Sequence, residues 1–197
     1  MKDETRVTLI ERVRSGKDQT AWQEFTGIYG NYLYLIVRGL GIAEDDADDV
    51  VQDCLLSIWK AMPNFEYGKN GATFRTWAAT IARRTVIDHR RKLGRRIKTD
   101  SLEDNDSFVD PGNDNDPEFI AFVDKEWRTY VVNLAFERIR PHFSGKAIGV
   151  FEAALAGKSP AAIAEQFDLQ QDSIRKLRSR VARRLEQEIQ HLRNELD

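Results

Sequence analysis

Apolar side chains recur at i, i+3 and i+4 along almost the whole chain, and strict alternation of apolar and polar residues appears nowhere. The first pattern puts one buried stripe on a helix, and the second would put one buried face on a strand. The sequence therefore predicts an all-α fold. Leu9, Ile10 and Val13 mark a short helix that stops near Ser15 and Gly16. Asp18 is placed to cap a second helix, with Ala21, Trp22, Phe25, Ile28, Tyr29, Tyr32, Leu33 and Ile36 on one face and Gly39 and Gly41 at its end. A third runs from about Glu44 to Ala61, striped by Ala47, Val50, Val51, Cys54, Leu55 and Ile58 and stopped by Pro63. A loop from Asn64 to Gly71 precedes a fourth helix, which starts near Thr73 and carries Phe74, Trp77, Ala78, Ile81 and Ala82.

The composition breaks between residues 99 and 118. Eight acids, three residues of proline or glycine and no lysine or arginine stand there. Such a stretch buries too little apolar surface to offset the entropy of ordering it, so it reads as a flexible linker. Residues 1–98 then form one small helical domain and residues 119–197 a second, in which Phe119, Phe122, Val123, Trp127, Val131 and Leu134 resume the helical pattern.

The formal net charge of −2 hides a sorting of charge into blocks. Glu44 to Asp53 holds six acids and no base, whereas Arg83 to Lys98 holds eight bases against Asp88 alone. Asp172 to Arg184 holds six bases against Asp172. One basic run is usually a solvated helix face. Two, each on a helix that ends a domain, suit the sequence-independent part of nucleic-acid binding, which comes from counterion release along the phosphate backbone.

Ser159 and Pro160 form a helix start, followed by the small residues Ala161, Ala162 and Ala164 with Ile163 and Phe167. Asp168, Leu169 and Gln170 make a three-residue turn, and a second helix opens at Gln171. This is the plan of a helix-turn-helix, with an ordinary helical hairpin as the plainer alternative. At about 100° per residue, Ile174, Leu177, Val181 and Leu185 share the inner side. Asp172, Arg175, Lys176, Ser179 and Arg183 share the outer side, with Gln171 at its start, and these are the DNA-facing candidates. Asp168 stands where such turns usually have glycine, and aspartate tolerates the left-handed conformation better than most residues.

No catalytic constellation is evident, so no enzyme is expected. His89, His142 and His191 are scattered without metal-ligand spacing, and no phosphate-binding glycine loop occurs, so no metal or cofactor is expected. Cys54 is the one cysteine and falls on an apolar stripe, which favours a buried structural thiol. No apolar signal-peptide core follows Met1 and no run of about 18 apolar residues exists, so a cytoplasmic location without a membrane span is expected.

The run from Asp45 to Asp53, continuing through Leu55, Leu56, Ile58 and Trp59, resembles the second conserved region of bacterial sigma factors. Thr73 to Trp77, Ile81 to Arg84 and Asp88 to Lys92 are similar to the promoter-melting helix of that family, and Ile163 to Arg183 to its fourth region. The chain thus resembles a two-domain sigma-70 factor of the extracytoplasmic-function (ECF) type over roughly Leu9 to Leu192. The resemblance implies that Asp48, Asp49, Gln52 and Asp53 bind the clamp of the largest catalytic subunit of core RNA polymerase. It implies −10 contacts from the loop residues Phe65 and Tyr67, which could equally cap the domain core, and from Arg83, Arg84, Asp88, Arg90, Arg91 and Lys92. It implies −35 contacts from the outer face of the last helix, and it allows an anti-sigma partner. The family often has Asn where this chain has Arg84. It threads the linker through the polymerase channels, where eight acids suit a nucleic-acid mimic.

Two other readings stay open on the residues alone. One is a helix-turn-helix regulator that binds promoter DNA without polymerase. The other is an interaction protein that binds polymerase or a sigma factor and does not read DNA.

Overall fold

A computed structural model describes residues 4–16, 18–66, 73–100 and 116–196, with side chains described except at 4–8, 95–100 and 194–196. Among the described residues the fold is all-α: α1 (Glu4–Arg14), α2 (Gln19–Gly39), α3 (Glu44–Ala61), α4 (Phe74–Asp100), α5 (Pro117–Ile139), α6 (Gly145–Leu155), α7 (Pro160–Phe167) and α8 (Gln171–Leu196). Most of the acidic segment lies outside the described residues, as does Tyr67. Among the described residues no helix is long and apolar enough to cross a membrane.

The chain divides into two compact units, and the boundary falls between Tyr130 and Val131, inside α5. The sequence expectation set the second domain from residue 119. The difference arises because the first turns of α5 bury their apolar face in the N-terminal unit. Phe119, Val123, Trp127 and Tyr130 are all buried there. Trp127 meets Tyr32 edge-on at 5.0 Å, and the Tyr130 hydroxyl donates to the Ile28 carbonyl. Helical periodicity reveals which face of α5 is buried but not what covers it.

In that unit α2 packs on α1, α3 and α4. The Asp18 carboxylate accepts from the Ala21 amide at 2.9 Å and so caps α2, satisfying one of the helix's orphan donors. The same carboxylate accepts from Arg12 at 2.8 Å. These bonds, the Arg12 one foremost, hold Asp18 below the ordinary carboxylate range. The core is aromatic: Phe25, Tyr29 and Phe74 lie within 4.8–5.7 Å of one another, centroid to centroid. Cys54 is buried, as its stripe position predicts, and desolvation pushes its thiol up to about 12 despite a hydrogen bond with Thr85. Gly41 turns the chain between α2 and α3 at φ +87°, and a Cβ there would come within 2.9 Å of the Arg90 guanidinium.

In the other unit α8 packs on α6 and α7. Ile139, Ala147, Ile148, Phe151 and Val181 form one cluster, and Val150, Ala153, Ile163 and Ile174 form the next. Ser144 and Ser159 each accept from the amide three residues on, starting α6 and α7. Asp168 closes α7 in the left-handed region, at φ 49° and ψ 62°, and its amide bonds back to Ala164. Gly149 lets α6 approach α7, because a Cβ there would lie 2.8 Å from the Phe167 ring.

Candidate nucleic-acid interface

The turn at Asp168 sets α8 against α7, and the inner stripe of α8 decides which side faces out. Ile174 and Val181 are buried, and Leu177 and Leu185 are half-buried. Gln171, Asp172, Arg175, Lys176, Ser179 and Arg183 are all exposed, so the outer face is the one the sequence predicts. Asp172 pairs with both Arg175 and Lys176, each at 3.2 Å. Exposed pairs of this kind contribute under about 1 kcal/mol, so both cations can be surrendered to a nucleic acid at little cost. Until then the shared carboxylate holds them on one side of the helix.

The α4 set divides into two. Arg84, Asp88, Arg91 and Lys92 are exposed on one face, with Arg91 and Asp88 3.4 Å apart. Arg83 is half-buried against the body of the unit, and Arg90, also exposed, reaches back to it. The Arg83 guanidinium lies over the Phe119 ring at 4.6 Å, and its Nη1 is buried without a hydrogen-bond partner among the described residues. Arg90 donates to the Leu40 carbonyl at 2.5 Å, satisfying an acceptor at the end of α2. Arg83 is thus engaged in packing within the unit, and Arg90 is tied to the end of α2 while remaining exposed.

Phe65 is enclosed by the core. It is only 5% exposed, with its ring 5.1 Å from Phe74 and 4.7 Å from Trp77. These contacts fit the core-capping alternative for Phe65. Tyr67 lies outside the described residues.

On α3, Asp48, Asp49, Gln52 and Asp53 are exposed along one face, opposite the buried Ala47, Val50, Cys54 and Ile58. Leu56 and Trp59 share that exposed face, at 50% and 37% exposure. With Trp22, Thr26, Gln52 and Leu55 they line a shallow apolar groove of about 340 Å³ beside the acids. Sequence reading missed Leu56 and Trp59 as surface residues, although their spacing from Gln52, at i+4 and i+7, was the available signal. An apolar centre with a charged rim is the general anatomy of a protein interface.

The described residues include no cluster of His, Cys, Asp and Glu able to hold a metal.

Residues 28–96, from within α2 to within α4, match the family described as Sigma-70 region 2. A "Probable RNA polymerase sigma factor" of Haemophilus influenzae is 37% identical over 78 residues, 38% of this chain and 39% of that protein. The similarity is to the second region of sigma-70 factors, over about a third of this chain. The "RNA polymerase sigma factor NccH" of Alcaligenes xylosoxydans xylosoxydans is 34% identical over 83 residues, 42% of each chain. The "RNA polymerase sigma factor CnrH" of Cupriavidus metallidurans is 32% identical over 80 residues, 41% of this chain and 40% of the other. The matched stretch thus spans about two fifths of the length of these relatives. A solved structure described as "Structure of CnrH in complex with the cytosolic domain of CnrY" aligns over 91% of this chain and 93% of that one, at 20% identity and a TM-score of 0.37. The region 2 match contains both the acidic α3 face and the basic α4 face. The helix-turn-helix lies beyond it.

Proposed function

We propose that the chain is a sigma factor of the extracytoplasmic-function type. It binds core RNA polymerase and directs promoter-specific initiation by recognising −10 and −35 elements. The observation that carries this reading is the match of residues 28–96 to region 2, whose α3 and α4 faces present opposite charge. In this reading the acidic face of α3, with Asp48, Asp49, Gln52 and Asp53, takes the basic clamp of the polymerase, and charge supplies steering and register. Arg84, Asp88, Arg91 and Lys92 meet the −10 region. The outer face of α8 meets the −35 element, where an arginine such as Arg175 can read guanine through two hydrogen bonds. The unit that ends at Tyr130 and the unit that starts at Val131 are the two working regions, and the acidic segment before α5 enters the polymerase channel.

Co-sedimentation with core polymerase, set beside duplex binding without it, tests the reading. A sigma factor binds core enzyme tightly and free duplex weakly. Specific duplex binding with no affinity for core enzyme would instead mark a stand-alone helix-turn-helix regulator. Affinity for core enzyme with no DNA-dependent change would mark a regulatory interaction protein.

A further inference from the structure

Beside the outer face of α8 lies a second concavity. His142 and Phe143, from the turn before α6, form one wall, and Arg180, Arg183, Arg184 and Gln187 of α8 form the other, enclosing about 320 Å³. The four α8 positions follow i, i+3, i+4 and i+7 and so make one stripe. No acid lines the groove among the described residues. The Arg180 guanidinium lies over the Phe143 ring at 5.3 Å, which helps to position its charge. Arg184 is held at 3.2 Å by Glu188, a buried carboxylate that also faces Arg138 at 3.5 Å. Neither Arg180 nor Arg183 has an ion pair among the described residues. The groove is therefore an organised cationic site in which Arg184 is ion-paired and Arg180 and Arg183 are not.

Its position selects the ligand. Taking about 100° per residue, Arg180, Gln187 and Arg184 stand roughly 50–110° around α8 from the direction shared by Asp172, Lys176, Ser179 and Arg183. A helix about 10–12 Å across fills a major groove about 12 Å wide, so side chains rotated that far meet the sugar-phosphate rim and not the base edges. Arg180 also lies about 12 Å further along the axis than Asp172, past the N-terminal turns that reach bases in a helix-turn-helix.

We propose that the groove between His142–Phe143 and α8 seats a backbone phosphate of duplex DNA, with Arg180 and Arg184 as its donors. The proposal rests on the reading of α8 as the DNA-reading helix. It assigns His142, Phe143, Arg180, Arg184 and Gln187 to positioning on the backbone, apart from the base-facing residues.

The test is fluorescence anisotropy of the full chain with a labelled duplex of mixed sequence, over a series of salt concentrations. Arg180→Gln should reduce the steepness of log affinity against log salt by about 0.9, equally on every sequence. Arg180→Lys should keep the slope, which separates lost charge from a folding defect. Gln187→Glu, which leaves the arginines in place, should also weaken binding on every sequence. If the wild-type chain binds duplex and both charge-altering variants match it in slope and affinity, the groove proposal is overturned and the helix-turn-helix reading stands. No duplex binding by the wild-type chain, either alone or with core polymerase added, removes the reading and the proposal together. Arg180-dependent binding of a polyglutamate peptide that duplex does not displace would show a carboxylate site, and would also overturn the proposal.

Discussion

The Arg83 guanidinium lies 4.6 Å from the centre of the Phe119 ring, so one cation of the basic α4 run is spent on packing α4 against the start of α5. That contact separates residues alike in sequence into two kinds. Arg83→Ala should lower the stability of the N-terminal unit by about 0.5–2 kcal/mol while leaving the salt dependence of duplex binding unchanged. Arg91→Ala and Lys92→Ala should leave stability within about 0.5 kcal/mol and flatten the salt slope by about 0.9 each. Urea melts and salt titrations of the same three variants check this. A flattened slope in Arg83→Ala would return that residue to the DNA surface.

Phe65 gives the second prediction. Its ring is shared between Phe74 and Trp77, so Phe65→Ala should cost about 3–5 kcal/mol of stability. Phe65→Leu, which keeps most of the buried volume, should restore much of the loss and retain promoter binding in the presence of core polymerase. A stable Phe65→Ala chain defective only in promoter opening would show instead that the ring serves a base.

The helix starts at Asp18 and Ser159, the end of α7 at Asp168 and the outer face of α8 were all legible in the sequence. Each is decided by residues within a turn or two of one another, and the physics of caps and helical stripes is local. Phe65, Arg83, Arg90 and the first turns of α5 were not. Their environment is set by partners far along the chain, Phe74 and Trp77 for the first, Phe119 for the second and the Leu40 carbonyl for the third. A basic residue on a basic helix looks the same in sequence whether it faces solvent or a phenylalanine. Leu56 and Trp59 were legible in principle, because they fall on the acidic side of α3 and not on its buried stripe.

Asp168 carries the third prediction. Its left-handed backbone disfavours a residue with an ordinary Cβ, so Asp168→Ala should destabilise the C-terminal unit by about 1 kcal/mol. Asp168→Gly should be neutral or slightly stabilising. Thermal melts of the two variants measure the difference, and equal stability would mean that the turn is not held in this conformation.

Cys54 gives a dependence on pH. Burial raises its folded-state pKa to about 12, above the ordinary thiol value of about 8.5, so the native state holds the proton more tightly. The thiol's contribution is thus fully present below about pH 8.5 and is lost as pH rises from there towards the folded value. Relative to Cys54→Ala, the wild-type chain should lose up to about 1.4 kcal/mol per pH unit across that window. The native thiol should also react with a thiol reagent only as fast as the unit opens. Rapid modification at neutral pH, or parallel stability curves for the two proteins, would contradict the burial.

In the proposed reading the chain, through its region 2 match, programs core polymerase. That reading is tested most directly by run-off transcription from promoters found by mapping the start sites that overexpression of the chain induces. Core polymerase with the wild-type chain should yield discrete transcripts from those start sites. Core enzyme alone, or core enzyme with an Asp49→Lys, Asp53→Lys chain that folds normally, should yield none. Transcripts that do not depend on adding the chain, or that persist undiminished with the α3 charge reversal, would contradict the account.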